Sequence, residues 1–238
     1  RLDDPQFNAT ILMSKTITAL EIQKKNKERV NVFLDGEYAF SLNLMAAAQL
    51  KRGALLSESE MAQLRAEDNQ LVAYQQALFF LGFRPRSQAE VIEHLRGKAY
   101  SDEVIEWVTE RLAREGYVND ASFAQYWVEN REQFRPRSAR ALRHELRQKG
   151  VARELISEAV AGLDEEAAAW AALEPKLARW SNLEQADFER KVMGFLARRG
   201  FDYATIRTVS RRAWSQQDHP GDSEPDYSEP DYSEEDEA

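Results

Sequence analysis

Three histidines, no cysteine and 41 acidic side chains are what this 238-residue chain offers for chemistry. One string begins like a catalytic motif, His144-Glu145-Leu146-Arg147-Gln148. A zinc-hydrolase helix needs a second histidine four residues after the first, so that two imidazoles grip one metal beside a glutamate base. Gln148 occupies that place. His94 and His219 are remote in sequence, and neither repeats the position of His144. With no thiol there is no thiolate metal site, no sulfur nucleophile and no disulfide, which suits a reducing compartment and leads us to expect a cytoplasmic protein. The ten glycines stand singly, so no loop is built to cradle phosphate. Counting carboxylates leaves a paired acid and base open. Most of them alternate with arginine along helix faces, however, where solvated ion pairs are the ordinary outcome. The expectation is a binding protein rather than an enzyme, with no cofactor and no metal.

The residues whose spacing could do something are therefore cations. The formal net charge is -9, yet residues 218–238 hold ten Asp/Glu and no Lys/Arg, so the rest of the chain is nearly neutral. Within that body, residues 131–153 carry eight Lys/Arg against two Glu, and residues 176–212 carry nine against four. At ~100° per residue, Arg140, Arg143 and Arg147 fall within an arc of ~60° on a helix. Arg135 and Arg137 lie just before that helix, and Lys149 closes it. Arg84 and Arg86 lead into an earlier helix in the same way, while Arg198, Arg199, Arg211 and Arg212 form a third group. Guanidinium forks bind phosphate and carboxylate alike. Phe134, Tyr126 and Trp127 are near enough in sequence to stack on bases, although helical spacing with Phe123 places Tyr126 and Trp127 in the core instead. A solvated face made of good helix formers accounts for the same arginines without a ligand. Both readings stand open at this level.

What must position these residues is a repeat. The string FRPRS occurs at 83–87 and again at 134–138. An offset of 51 aligns Val91 with Leu142, Leu95 with Leu146, Tyr100 with Val151, Ile105 with Ile156 and Leu112 with Leu163. A further offset of 50 reaches Val192, Leu196, Phe201 and Ile206, with Gly150 and Gly200 in one shared place that Ala99 takes in the first unit. Apolar positions persist between units while outer ones change: Ala89 becomes Arg140, Ile92 becomes Arg143 and Glu93 becomes His144. Each unit reads as three short helices. The first has helices over 71–81, from Ser87 through about Lys98, and over about 102–115. The second has them at roughly 121–133, 139–149 and 152–162, and the third at 165–180, 184–199 and 202–214. In FRPRS, proline pushes the preceding arginine away from helix and serine caps the helix that follows, with Ser87 and Glu90 spaced as a capping box.

Before the repeats, VNVFL (30–34) and EYAFSL (37–42) flank Asp35-Gly36, the pair a type I′ hairpin favours. ITALEIQ (17–23) supplies a third strand, and two short helices follow near 44–50 and 57–67. After the repeats, SEPDY at 223–227 recurs at 228–232, in a stretch whose charge and lack of aliphatic residues predict disorder. The tail is either a solubilising appendage or a tethered competitor that folds back on the basic repeats. The expected class is mainly α: three tandem three-helix repeats in an elongated curved array, with a small β-rich N-terminal cap and a disordered acidic tail. The divisions fall at 1–14 (flexible start), 15–69 (β-containing extension), 70–118, 119–163 and 164–216 (repeats one to three), and 217–238 (tail). No apolar run approaches the ~18 residues a membrane helix needs, and the opening RLDDPQFNAT has no apolar core of a secretory signal.

The FRPRS-initiated repeats, together with LAREGYVNDASFAQYWVENR (112–131), RALRHELRQKGVARELI (140–156) and FLARRGFDYATI (195–206), resemble the RecX family of regulatory proteins. The resemblance spans about residues 70–214 in consistent order, and residues 15–67 look similar to the β-rich extension of longer members. The acidic tail is not part of that pattern. What the resemblance implies is a non-catalytic protein that binds the RecA recombinase filament on DNA and restrains its ATPase and strand-exchange activity in recombinational repair; we expect a monomer. Arg84, Arg86, Arg135, Arg137, Arg140, Arg143, Arg147, Lys149, Arg198, Arg199, Arg211 and Arg212 are then the candidates to meet acidic recombinase surface or the phosphates of single- or double-stranded DNA. The alternative is a sequence-nonspecific DNA-binding helical module with no recombinase partner. A third possibility is a plain helical scaffold whose basic face serves solubility.

Overall fold

A computed structural model of the chain describes residues 14–216. The flexible start and disordered tail expected from sequence lie outside the described residues. The described chain begins with three strands, β1 (Lys15–Ile22), β2 (Arg29–Leu34) and β3 (Glu37–Asn43), followed by a one-turn helix α1 (Leu44–Ala47) and a two-residue strand β4 (Leu55–Leu56). They form one antiparallel sheet in the order β3-β2-β1-β4. Alternation decides its faces: Val30, Val32 and Leu34 of β2 are buried, as are Phe40 and Leu42 of β3. The β2–β3 turn is the expected one, with Asp35 at φ 50° and Gly36 at φ 94°. β4 has no signature in the sequence, being two residues paired to the start of β1.

The expected helices at 57–67 and 71–81 are one helix, α2 (Glu58–Leu81), opened by a capping box between Ser57 and Glu60. No glycine or proline interrupts residues 58–81, and the polar stretch read as a break has a job. Asp68, 7% exposed, accepts two hydrogen bonds from Arg29 Nη1 (2.9 and 2.8 Å) and one from the Asn43 backbone N–H (2.7 Å). That carboxylate fastens the sheet to the middle of α2. Met61 of α2 joins Ile17, Val30, Val32, Leu42 and Leu56 in the core beneath the sheet.

The rest is helical: α3 (Gln88–Arg96), α4 (Asp102–Arg114), α5 (Asp120–Phe134), α6 (Ala139–Gln148), α7 (Arg153–Ala159), α8 (Glu165–Trp180), α9 (Gln185–Ala197) and α10 (Tyr203–Ser215). The aligned apolar positions are buried in every repeat, except that Tyr100 and Leu163 are half-buried against the cores. Val91, Leu142 and Val192 are fully buried, and so are Leu95, Leu146 and Leu196. The described chain separates into two compact units. One runs to Phe123 and includes Lys149–Val151, with its helical core built from α2, α3 and α4 around Ala73, Tyr74, Val91, Leu95, Val108 and Leu112. The other holds Ala124–Gln148 and the chain from Ala152, with a core of Ala169, Leu173, Phe188, Val192, Leu196 and Phe201 between α8, α9 and α10.

Each FRPRS turn is held by a helix-ending turn of the same unit. Ser87 is fully buried, caps α3 through the Glu90 N–H, and donates from Oγ to the Lys149 carbonyl (2.6 Å). Ser138 accepts from the Ala141 N–H (3.1 Å) and donates its own backbone N–H to the Arg199 carbonyl (3.2 Å). The next residue in each partner turn is a glycine with positive φ, Gly150 at 75° and Gly200 at 92°. A Cβ on Gly150 would stand 2.4 Å from that of Ala89, and one on Gly200 would stand 2.6 Å from Ser138 Oγ. Glycine is demanded there twice over, by dihedral and by room.

Candidate anion-binding surface

The first copy of FRPRS closes on itself. Arg84 pairs with Glu90 (2.8 Å), Lys149 Nζ reaches the same carboxylate (2.6 Å), and Arg86 lies 4.0 Å from it. Burial works against the Glu90 charge, but the hydrogen bonds and charges of Arg84 and Lys149 outweigh it and hold the carboxyl below its ordinary range. The Arg86 guanidinium sits 4.0 Å over the Phe80 ring, whose other stacking partner is His94 at 4.1 Å. Arg84, Arg86 and Lys149 thus surround an internal carboxylate, and none of the three is idle.

The second copy is arranged differently, although the sequence string is identical. Arg137 Nε contacts Glu145 (3.0 Å), and the same carboxylate accepts from Arg131 Nε (2.9 Å) and Trp127 Nε1 (2.7 Å). Glu145 occupies the place that His94 takes one repeat earlier. Only Arg137 is drawn in, and even so it stays 41% exposed. Arg135, Arg140, Arg143 and Arg147 are exposed and make no ion pair with any described residue. His144 is exposed beside them, and no group of three metal-ligating side chains exists among the described residues.

The third repeat adds to this group. Ser138 to Arg199 is a backbone hydrogen bond, so the turn before α6 and the turn after α9 are held together. Arg199 is half-buried with its guanidinium 4.0 Å over Phe195. Burial first, and then the charges of Arg137, Arg198 and Arg135, push the Arg199 guanidinium below its ordinary range. Four arginines from two repeats therefore share one field with no carboxylate of their own other than Glu145. Like charges left together in this way favour an anion that neutralises them. Arg140 acts on the opposite sign, since its charge helps hold Asp202 low after the hydrogen bonds that Asp202 accepts from Thr205 as cap of α10.

The remaining candidates lie apart from this group. Arg212 stacks 4.0 Å over Trp170 of α8, and Arg211 lines a cleft between α9 and α10. Phe134, next to Arg135, is 66% exposed and free to stack, whereas Tyr126 and Trp127 are half-buried and Trp127 is tied to Glu145. The sequence reading missed Arg207, which lines the same cleft one turn before Arg211. It also missed Glu145 as the carboxylate that separates the two FRPRS copies.

With the geometry in hand, comparison with known proteins places the chain. Family models of RecX match four successive segments: the regulatory protein RecX N-terminal domain at residues 15–57, and the first, second and third three-helix domains at 73–112, 119–160 and 164–209. The chain belongs to the RecX family. The regulatory protein RecX of Bacillus subtilis (strain 168) is 31% identical over 213 residues, covering 87% of this chain and 81% of its own length. That of Listeria monocytogenes (strain EGD-e) is 28% identical over 213 residues, covering 87% and 79%. A crystal structure of regulatory protein RecX, 26% identical, superposes with a TM-score of 0.63 over 83% of this chain and 99% of that one. RecX from Lactobacillus salivarius, 20% identical, shares the fold at a TM-score of 0.55 over 63% and 99%. The three-helix domains and the β-containing N-terminal segment are therefore family features. No described helix is long and apolar enough to cross a membrane.

Proposed function

We propose that this RecX-family protein binds the RecA recombinase filament on DNA in the cytoplasm and lowers its ATPase and strand-exchange activity. The surface that does so is centred on Arg135, Arg137, Arg140, Arg143 and Arg147, with Arg198 and Arg199 continuing it into the third repeat. Family membership supports the partner. The observation that carries the site is the backbone hydrogen bond from Ser138 to Arg199, which joins the turn bearing Arg135 and Arg137 to the turn bearing Arg198 and Arg199. Such a cluster is relieved by carboxylates on a protein surface or by phosphates, and guanidinium geometry suits both. Arg84, Arg86 and Lys149 take a structural part in this reading, because all three are drawn in around the Glu90 carboxylate.

The test is a recombinase ATPase assay with purified protein, run with and without competing naked DNA. Wild-type protein lowers the ATPase rate, and Arg140→Ala/Arg143→Ala/Arg147→Ala, which should keep its helicity because all three side chains are exposed, loses most of that effect. Unchanged inhibition by the triple variant contradicts the site. Binding to naked DNA of equal strength, falling steeply with salt and without effect on the recombinase, would favour the nonspecific DNA module instead.

A further inference from the structure

Between α9 and α10 lies a cleft of about 560 Å³ that the proposed surface does not use. Its lining includes an apolar patch of Met193 and the buried Ile206, together with Tyr203, which is 65% exposed. Arg207 and Arg211, one turn apart on α10, are exposed and pair with no described carboxylate. Glu189, also on the wall, is engaged by Gln185 Nε2 at 3.0 Å. Ser210 lines the cleft as well, but its unpartnered Oγ is buried. An apolar patch beside two neighbouring guanidinium groups suits a ligand with a ring and flanking carboxylates.

This chain carries that ligand twice. The sequence Glu-Pro-Asp-Tyr-Ser-Glu occurs at 224–229 and again at 229–234, centred on Tyr227 and Tyr232. We propose that the cleft between α9 and α10 is the docking site for these acidic tyrosine motifs of the chain's own C-terminal tail. The ring of Tyr227 or Tyr232 enters over Met193 and Ile206, and the neighbouring carboxylates pair with Arg207 and Arg211. The tether permits it. Cleft residues 206–211 lie roughly 6–14 Å back along α10 from its end at Ser215, and the twelve residues from there to Tyr227 span up to ~40 Å. Tethering of this kind gives an effective concentration on the order of millimolar, which a free acidic peptide must outcompete. Charge favours the pairing too, since residues 176–212 carry nine cations against four anions and the tail carries ten anions with no Lys/Arg. Docking covers Arg211 and lays negative charge beside the third repeat. Its effect on partner binding rests on the proposed function, but the docking itself does not.

Photo-crosslinking in the full chain, with no partner present, tests the docking alone. Tyr227 or Tyr232 is replaced by p-benzoylphenylalanine, which reacts readily with methionine, and the products are mapped by peptide mass spectrometry. The expected result is crosslinks within one chain to Met193 and to the Tyr203–Arg211 face of α10. Their yield should fall about tenfold in Arg207→Glu/Arg211→Glu, the equivalent of two exposed ion pairs, and also at salt on the order of 0.5 M. Arg207→Gln/Arg211→Gln serves as the milder variant, and circular dichroism confirms that each keeps its helices. Crosslinks scattered over α6 and the other basic faces, crosslinks between two chains, a yield indifferent to charge reversal, or no crosslink at all would each overturn the proposal.

Discussion

At the scale of single residues, the three repeats differ at the one backbone position that most needs glycine. Gly150 and Gly200 are left-handed and pressed against the preceding FRPRS helix, whereas Ala99 adopts φ 61° with a side chain. An alanine in that region is strained, so Ala99→Gly should stabilise the protein by up to ~1 kcal/mol. Gly200→Ala should destabilise it by more than ~1 kcal/mol, since strain adds to the contacts with Ser138 and Ala141. Urea denaturation of the two variants measures both. The alignment pointed to this position because glycine recurs there, and the structure supplies the reason. Other residue roles were not legible. Glu90 and Lys149 are 59 residues apart, and Glu145 meets Arg131 and Trp127 only after α5 and α6 pack. Of the cations in residues 131–153, Arg131 and Arg137 share Glu145 and Lys149 reaches Glu90, pairings that exist only in the folded chain. Arg207 escaped notice for a similar reason: its cleft exists only between two packed helices.

At the scale of elements, the sheet and helix boundaries were readable where local rules act alone. The Asp35-Gly36 hairpin, the Ser87–Glu90 capping box and the 50-residue period all follow from short-range chemistry. The length of α2 was not readable, because its polar middle is justified by a partner in the sheet. Asp68→Ala leaves Arg29 facing a void in a half-buried site, and should lower stability by ~2–4 kcal/mol, measured by thermal or urea unfolding. A second prediction concerns α3. Burial, with the charges of Lys98 and Arg86, holds His94 below its usual 6.5, and its ring stacks on Phe80. The unfolded chain therefore takes up the proton first as pH falls. The contribution of His94 to stability is full above about pH 6.5 and declines below it toward the lowered folded value. The unfolding free energy should rise with pH across that window, and His94→Phe should flatten the rise. A parent protein with no slope there would contradict the assignment.

At the scale of the whole molecule, one architecture carries two identical pentapeptides with different fates. Both serve as turns whose serine is buried and whose helix is capped or anchored by a later turn. The first has its cations consumed by Glu90, while the second leaves Arg135, Arg140, Arg143 and Arg147 open and adds Arg198 and Arg199 from the third repeat. Repetition supplied the scaffold, and substitution on outer positions supplied the surface. If that surface acts as a unit, Arg135→Ala and Arg199→Ala should weaken filament binding less than additively when combined, because each relieves the other's field. Neither should change stability by more than ~1 kcal/mol. The most direct measurement is equilibrium binding to recombinase filaments assembled on DNA, comparing wild type with Arg140→Ala/Arg143→Ala/Arg147→Ala at one salt concentration. Loss of about 1–3 kcal/mol, roughly 5- to 150-fold in affinity, is the predicted result. Equal affinity of the two proteins would contradict the account.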